Sequence, residues 1–153
     1  MSACQSLTTV IVDDNELDRY VARRRLEKLM PSGQVVEAVS GDAFLSHVCD
    51  EGLLDRHCDT AALVLIDINM PGLSGVETAR SLQARVDAGL VTRDIVVVMC
   101  SSSDNPTEKY SALDIPIVVG YIVKPLLDDD VHHLLARCFG PNVGPQVRSP
   151  GGG

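Results

Sequence analysis

Apolar residues gather in five short runs along the chain, at 10–12, 35–39, 62–66, 95–100 and 118–123, with segments of helical period between them. Runs rich in Val and Ile predict strands, and their alternation with amphipathic segments predicts a strand, helix, strand rhythm. The runs at 62–66 and 95–100 are apolar at every position. That is the pattern of central parallel strands covered by helices on both faces. The first helix is expected over 15–30, with Leu17, Val21, Leu26 and Leu29 on roughly one side, and the last around Val131, Leu134, Leu135 and Cys138. Helices between them are expected at about 42–51, 74–88 and 107–113. Pro106 suits a first turn and Pro116 forbids continuation.

Past Phe139 the sequence GPNVGPQVRSPGGG has no apolar period and is rich in Gly and Pro. It is read as a disordered tail over 140–153, which leaves one folded unit at 8–139. A chain of 153 residues suffices for one core. Apolar residues make up 45% of it and aromatic residues only 3%, so that core must be aliphatic. This again favours α/β packing.

The formal net charge of −8 repels phosphate backbones and anionic lipid, and Arg23, Arg24 and Arg25 are too short a basic block to offset it. No nucleic acid partner and no membrane association are expected. The five cysteines are odd in number and contain no Cys-x-x-Cys pair, which fits neither a disulfide framework nor a zinc site. No apolar run approaches the ~18 residues of a membrane span, and the first residues lack a leader pattern. The chain is therefore expected in the cytoplasm. His47, His57, His132 and His133 read as solvated surface, since adjacent helical residues point ~100° apart.

In an open parallel sheet, ligands bind beyond the carboxyl ends of the strands. The first strand ends in Asp13 and Asp14, the third in Asp67, the fourth in Ser101, and the fifth in Lys124 followed by Pro125. Carboxylates brought to one edge repel each other by ~1 kcal/mol per pair at about 4 Å in water, and by more at a drier surface. A divalent cation removes that cost. Few oxygen ligands on a site open to water suit Mg²⁺, with Asp67 left as an outward nucleophile. Taken singly, each piece has a plainer explanation. An Asp pair can cap a helix, Ser101 can do the same, and Lys124 can be a solvated edge.

Their order and spacing are more specific. The segments VIVDDNELDR, LVLIDINMPGLSGVE, IVVVMCSSS and GYIVKPL resemble the receiver domain of two-component response regulators, and the stretch after the fourth strand resembles small stand-alone, chemotaxis-regulator-like receivers. The resemblance implies a flavodoxin-like, doubly wound sheet of five parallel strands in the order 2-1-3-4-5 with five helices. It implies that Asp67 is the phospho-acceptor, Asp14 a direct metal ligand, Asp13 a ligand directly or through water, and Asn69 a ligand through its backbone carbonyl. The metal would be Mg²⁺ or Mn²⁺. Lys124 would supply an ammonium to the phosphoryl group and Ser101 a hydroxyl, with Ser102 the neighbour in an adjacent register. Tyr121 would be the aromatic switch, and the Lys124-Pro125 bond would be cis. Pro71, Gly72 and Gly75 match the family's turn after the acceptor.

By the same resemblance the phosphodonor is a sensor histidine kinase or a histidine phosphotransfer protein, and the output is a protein contact through the fourth helix, fifth strand and fifth helix with a target the sequence leaves unidentified. The chain would be a signalling domain and not an enzyme. One departure is the segment SALDIPIVVGYIVKP, where many receivers carry an Ala-Gly-Ala-type stretch; it leaves the fourth helix open. Two other classes compete. An aspartyl-phosphate phosphatase would need a second Asp two residues after a first-strand nucleophile, whereas this strand gives Asp-Asp-Asn-Glu. An inert interaction module would have lost Asp67, Lys124 or the acid pair, and all are present.

Overall fold

The computed structural model describes residues 8–49, 62–103 and 105–139. Five strands, β1 (Thr8–Val12), β2 (Gln34–Ala38), β3 (Ala62–Asp67), β4 (Ile95–Ser101) and β5 (Val118–Val123), form one parallel sheet in the order β2-β1-β3-β4-β5. The helices are α1 (Glu16–Leu29), α2 (Gly41–Ala43), α3 (Gly75–Asp87), α4 (Pro106–Leu113) and α5 (Asp128–Phe139). Fold class, strand order and helix number agree with the reading above. The tail at 140–153 lies outside the described residues.

The two-residue period of the strands divides the core into two layers. Val10, Val12, Val64, Ile66, Val97 and Met99 face one side with Phe44, Ala79 and Leu82, while Ile11, Leu63, Leu65, Val98 and Cys100 face the other with Leu26, Val131 and Leu135. This double covering is why β3 and β4 are uniformly apolar. Each fully buried Val, Leu or Ile contributes about 1.5–3 kcal/mol relative to exposure, enough to hold the sheet with few aromatic residues. An ion pair joins the outer helices of the second layer: Arg25 of α1 reaches Asp128 at 2.5 Å, with Lys28 at 3.8 Å.

Two expectations are corrected. Leu17 is 67% exposed, because it stands in the first turn of α1 beside the carboxyl edge of the sheet, and the buried positions of this segment are Leu26 and Met30. The second helix, expected over 42–51, is one α-turn followed by a π-helical stretch, Phe44–Cys49. An extra residue per turn leaves little trace in apolar spacing. The fourth helix does form: the Asn105 carboxamide oxygen accepts from the N–H groups of Thr107 and Glu108, and Pro106 opens the first turn. β5 also carries a bulge, since Val97 pairs with Val118 but Val98 with Gly120. Among the described residues no helix is long and apolar enough to cross a membrane.

α3 begins directly beneath the end of β3. Ser74 and Glu77 form a reciprocal capping box, and the Gly75 N–H donates to the Ile68 carbonyl at 2.8 Å. A Cβ at Gly75 would stand 2.4 Å from the Asp67 carbonyl oxygen, which only a backbone shift could relieve. Gly75→Ala should therefore cost about 1–3 kcal/mol, read by urea unfolding, with amide shift changes centred on 67–69. A stability equal to that of the parent chain would show that α3 can slide without disturbing β3.

Candidate functional site

β1 and β3 are neighbours in the sheet, but their connections run to opposite faces, which opens a crevice at their carboxyl ends. Asp13 follows β1 directly. It is 4% exposed, and its position is over-determined: its N–H donates to Ala38 O at 3.1 Å, its carboxylate accepts from Asn15 N–H at 2.9 Å, and its carbonyl accepts from Arg19 at 2.9 Å. Asp14 is exposed, and Asp67 closes β3, buried. One carboxylate oxygen each from Asp13, Asp14 and Asp67 lie within 4.8 Å of one another.

Lys124 enters this acidic corner from beyond β5. The peptide bond to Pro125 is cis, as the resemblance implies, and the Lys124 N–H donates to Ser101 O at 2.7 Å. Its Nζ donates to Asp13 Oδ2 at 2.7 Å and to Asp18 Oδ2 at 2.8 Å, and lies 3.3 Å from Asp67 Oδ1.

Burial pushes the Asp67 carboxyl up to about 6, and the Asp13 carboxylate adds to the rise; Lys124 and the Asn69 N–H pull the other way. Burial alone would lower the Lys124 ammonium, yet its hydrogen bonds to Asp13 and Asp18 leave it raised, so it stays charged. The Cys100 thiol beneath is pushed up to about 12 by burial and is inert as a nucleophile.

The remaining predicted residues fall around this centre. Asn69 is exposed between buried Ile68 and Met70, which anchor its loop. Ser101 is fully buried, and its hydroxyl accepts from the Ser103 N–H at 3.1 Å, while exposed Ser102 borders the cavity shared by Asp67 and Lys124. Tyr121 is half-buried, and its hydroxyl donates to Ser103 O at 2.8 Å, tying β5 to the loop after β4.

Asp18 was not foreseen. An acid in the first turn of a helix already has an explanation in the helix dipole, and only the tertiary position of Lys124 shows a second partner for it. The cavity holds about 290 Å³, with Leu17, Val21, Leu65, Ile122 and Leu126 as apolar walls and Asp13, Asp18, Asp67 and Lys124 at its polar end.

The donor set suits a small, hard divalent cation: three carboxylates converge, and one of them is open to water. Fold and site together define a doubly wound α/β protein with an acidic, lysine-bearing pocket at its switch point. The family model of the response regulator receiver domain matches residues 9–136. The chain belongs to that family.

Among curated relatives it is 31% identical over 132 residues to the cyclic di-GMP phosphodiesterase response regulator RpfG of Xanthomonas campestris, covering 86% of this chain and 31% of the relative. It is 30% identical over 141 residues to the positive alginate biosynthesis regulatory protein of Pseudomonas aeruginosa, covering 89% of this chain and 48% of that one. The chain thus spans less than half the length of these relatives. A two-component response regulator of Cytophaga hutchinsonii superimposes with a TM-score of 0.74 at 20% identity, covering 87% of this chain and 96% of that one. Chemotaxis protein CheY4 of Vibrio cholerae gives 0.66 at 19%, covering 87% and 98%. Both support the fold.

Asp67 holds its proton more tightly in the folded chain than its ordinary value of 3.8 allows. Between pH 4 and 6 the folded state therefore keeps a proton that the unfolded state has released, and its contribution to stability falls as pH rises through that window. Without divalent ions, Asp67→Asn should gain stability relative to the parent chain between pH 4 and pH 7, by on the order of 2 kcal/mol. Denaturant melts across that range would reveal it; a pH-independent difference would mean that Asp67 ionises freely.

Proposed function

We propose that the protein is a phosphorylation switch in which Asp67 accepts a phosphoryl group from a phosphohistidine, on a sensor kinase or a histidine phosphotransfer protein, and passes the change to a protein target. The observation that carries this reading is the convergence of Asp13, Asp14 and Asp67 with the Lys124 ammonium 3.3 Å from Asp67 Oδ1. Asp67 is the nucleophile: a carboxylate oxygen forms the new P–O bond, the P–N bond to the donor imidazole breaks, and that imidazole leaves with its electron pair. Lys124 faces the charge that develops on the phosphoryl oxygens. Asp13, Asp14, Asp67 and the Asn69 carbonyl would hold Mg²⁺ or Mn²⁺, which neutralises charge on the transferred group when bound. Burial of the flanking Cys100 and Ile68 keeps competing nucleophiles and bulk water away from one side of the acceptor.

The contact surface is α4, β5 and α5. Tyr110 is 75% exposed, and Leu113, Val119 and Val123 are exposed beside it, a band of apolar side chains on an acidic molecule. Tyr121 joins this band to the loop after Ser101 through its bond to Ser103 O. A phosphoryl group drawing in the Ser101 hydroxyl and Lys124 would move that loop and hence the face. The reading places the chain in the cytoplasm with the phosphodonor.

Labelling by a phosphorylated kinase or a small phosphodonor should require Mg²⁺ and fall to background in Asp67→Ala; label persisting in that variant would place the acceptor elsewhere. Amide hydrogen exchange with a beryllofluoride mimic should change across 101–139 and leave 34–49 nearly unaltered. Changes confined to 34–49 would sink the coupling to α4 and β5.

A further inference from the structure

An ammonium group has three N–H donors, and those of Lys124 face three carboxylates, Asp13 at 2.7 Å, Asp18 at 2.8 Å and Asp67 at 3.3 Å. Asp13 and Asp67 also belong to the carboxylate cluster suited to a cation, and Asp18 does not. A carboxylate engaged with a divalent cation is a weaker partner for an ammonium, so Asp18 is the carboxylate of the three whose charge stays available to Lys124 throughout.

Its placement is fixed from both sides. The Asp18 N–H donates to the Asn15 carboxamide at 2.9 Å, and the next residue, Arg19, grips the Asp13 carbonyl at 2.9 Å and Glu37 at 2.9 Å. The first turn of α1 is thereby pinned to the end of β1. Lys124 is pinned at its backbone by Ser101 O, while its stem borders the cavity and its ammonium is held by the carboxylates it meets.

We propose that Asp18 is a positioning residue for phosphoryl transfer: it holds the Lys124 ammonium over Asp67, leaving the other donors aimed at the place an incoming phosphoryl oxygen would occupy. This rests on Asp67 being the acceptor and assigns Asp18 to that same site. Asp18 touches no reacting atom and acts through Lys124. A purely structural role, as an acid at a helix N-terminus, would alter the stability of α1 without changing the state of the ammonium.

Lys28, Lys109 and Lys124 are the lysines of the chain, so selective ¹⁵N-lysine labelling resolves the ammonium groups directly. The Lys124 ammonium signal of the parent chain should be protected from exchange with water, both without divalent ions and with saturating Mg²⁺. In Asp18→Ala with Mg²⁺ it should exchange as fast as those of exposed Lys28 and Lys109. The maximal rate of labelling by a small phosphodonor should fall about tenfold in that variant, with half-saturating Mg²⁺ unchanged. Asp18→Asn, which keeps an oxygen acceptor and the helix, should recover part of both readouts.

A protected Lys124 signal in Asp18→Ala, labelling at the parent rate, or a rate loss fully restored by more Mg²⁺ would each overturn the proposal while leaving the acceptor reading intact. A parent chain that takes no label at all would overturn the acceptor reading, and the proposal with it.

Discussion

Repulsion among carboxylates is the constraint on which this molecule turns. A parallel sheet delivers the ends of β1 and β3 to the same edge, and here both ends are acidic. Asp13 and Asp67 are nearly enclosed, so the field between them is poorly screened; burial first, and the neighbouring Asp13 carboxylate after it, raise the Asp67 carboxyl to about 6. Lys124 relieves part of the repulsion from beyond β5, and the relief is possible because Asp67 pairs with Cys100 and Ser101 with Val123, which brings the end of β5 close to Asp67. An aliphatic core with few aromatic residues makes the frame rigid enough to keep these charges together.

Much of this was legible because burial writes itself into composition. A strand covered on both faces is built mostly of apolar residues, so β3 and β4 stand out as apolar runs, and the polar residues that end them mark the edge where chemistry is done. Asp67, Ser101 and Lys124 were found in that way. The resemblance of four segments then supplied roles that single residues could not, since an Asp pair or a Lys-Pro dipeptide alone is commonplace.

What stayed hidden depends on tertiary distance or on small changes of backbone period. Leu17 fits the apolar stripe of α1 by spacing but stands at the rim of the cavity, 67% exposed, a fact of helix placement and not of sequence. The π-helical stretch Phe44–Cys49 and the bulge at Val119 each involve one residue more than the regular pattern. Asp18 was masked by its ordinary suitability for a helix start. The serine that borders the cavity is Ser102, while Ser101 is enclosed, a one-residue distinction that strand patterning cannot make.

The two sides of the sheet are also unequally stiff. α1 is joined to β2 through Arg19, Arg23 and Glu37 and to α5 through Arg25, Lys28 and Asp128, so three elements are cross-braced by charge. α4 has a single fully enclosed side chain, Ala112, and hangs between a capped start and Pro116. A load applied at the acidic corner will spread most readily into the compliant α4, and into α5 against its bracing to α1. Because charge bracing is screened by salt, the ratio of the two stiffnesses is set partly by the solution around the protein, so ionic strength acts as a mechanical adjustment on how sharply the disturbance is directed.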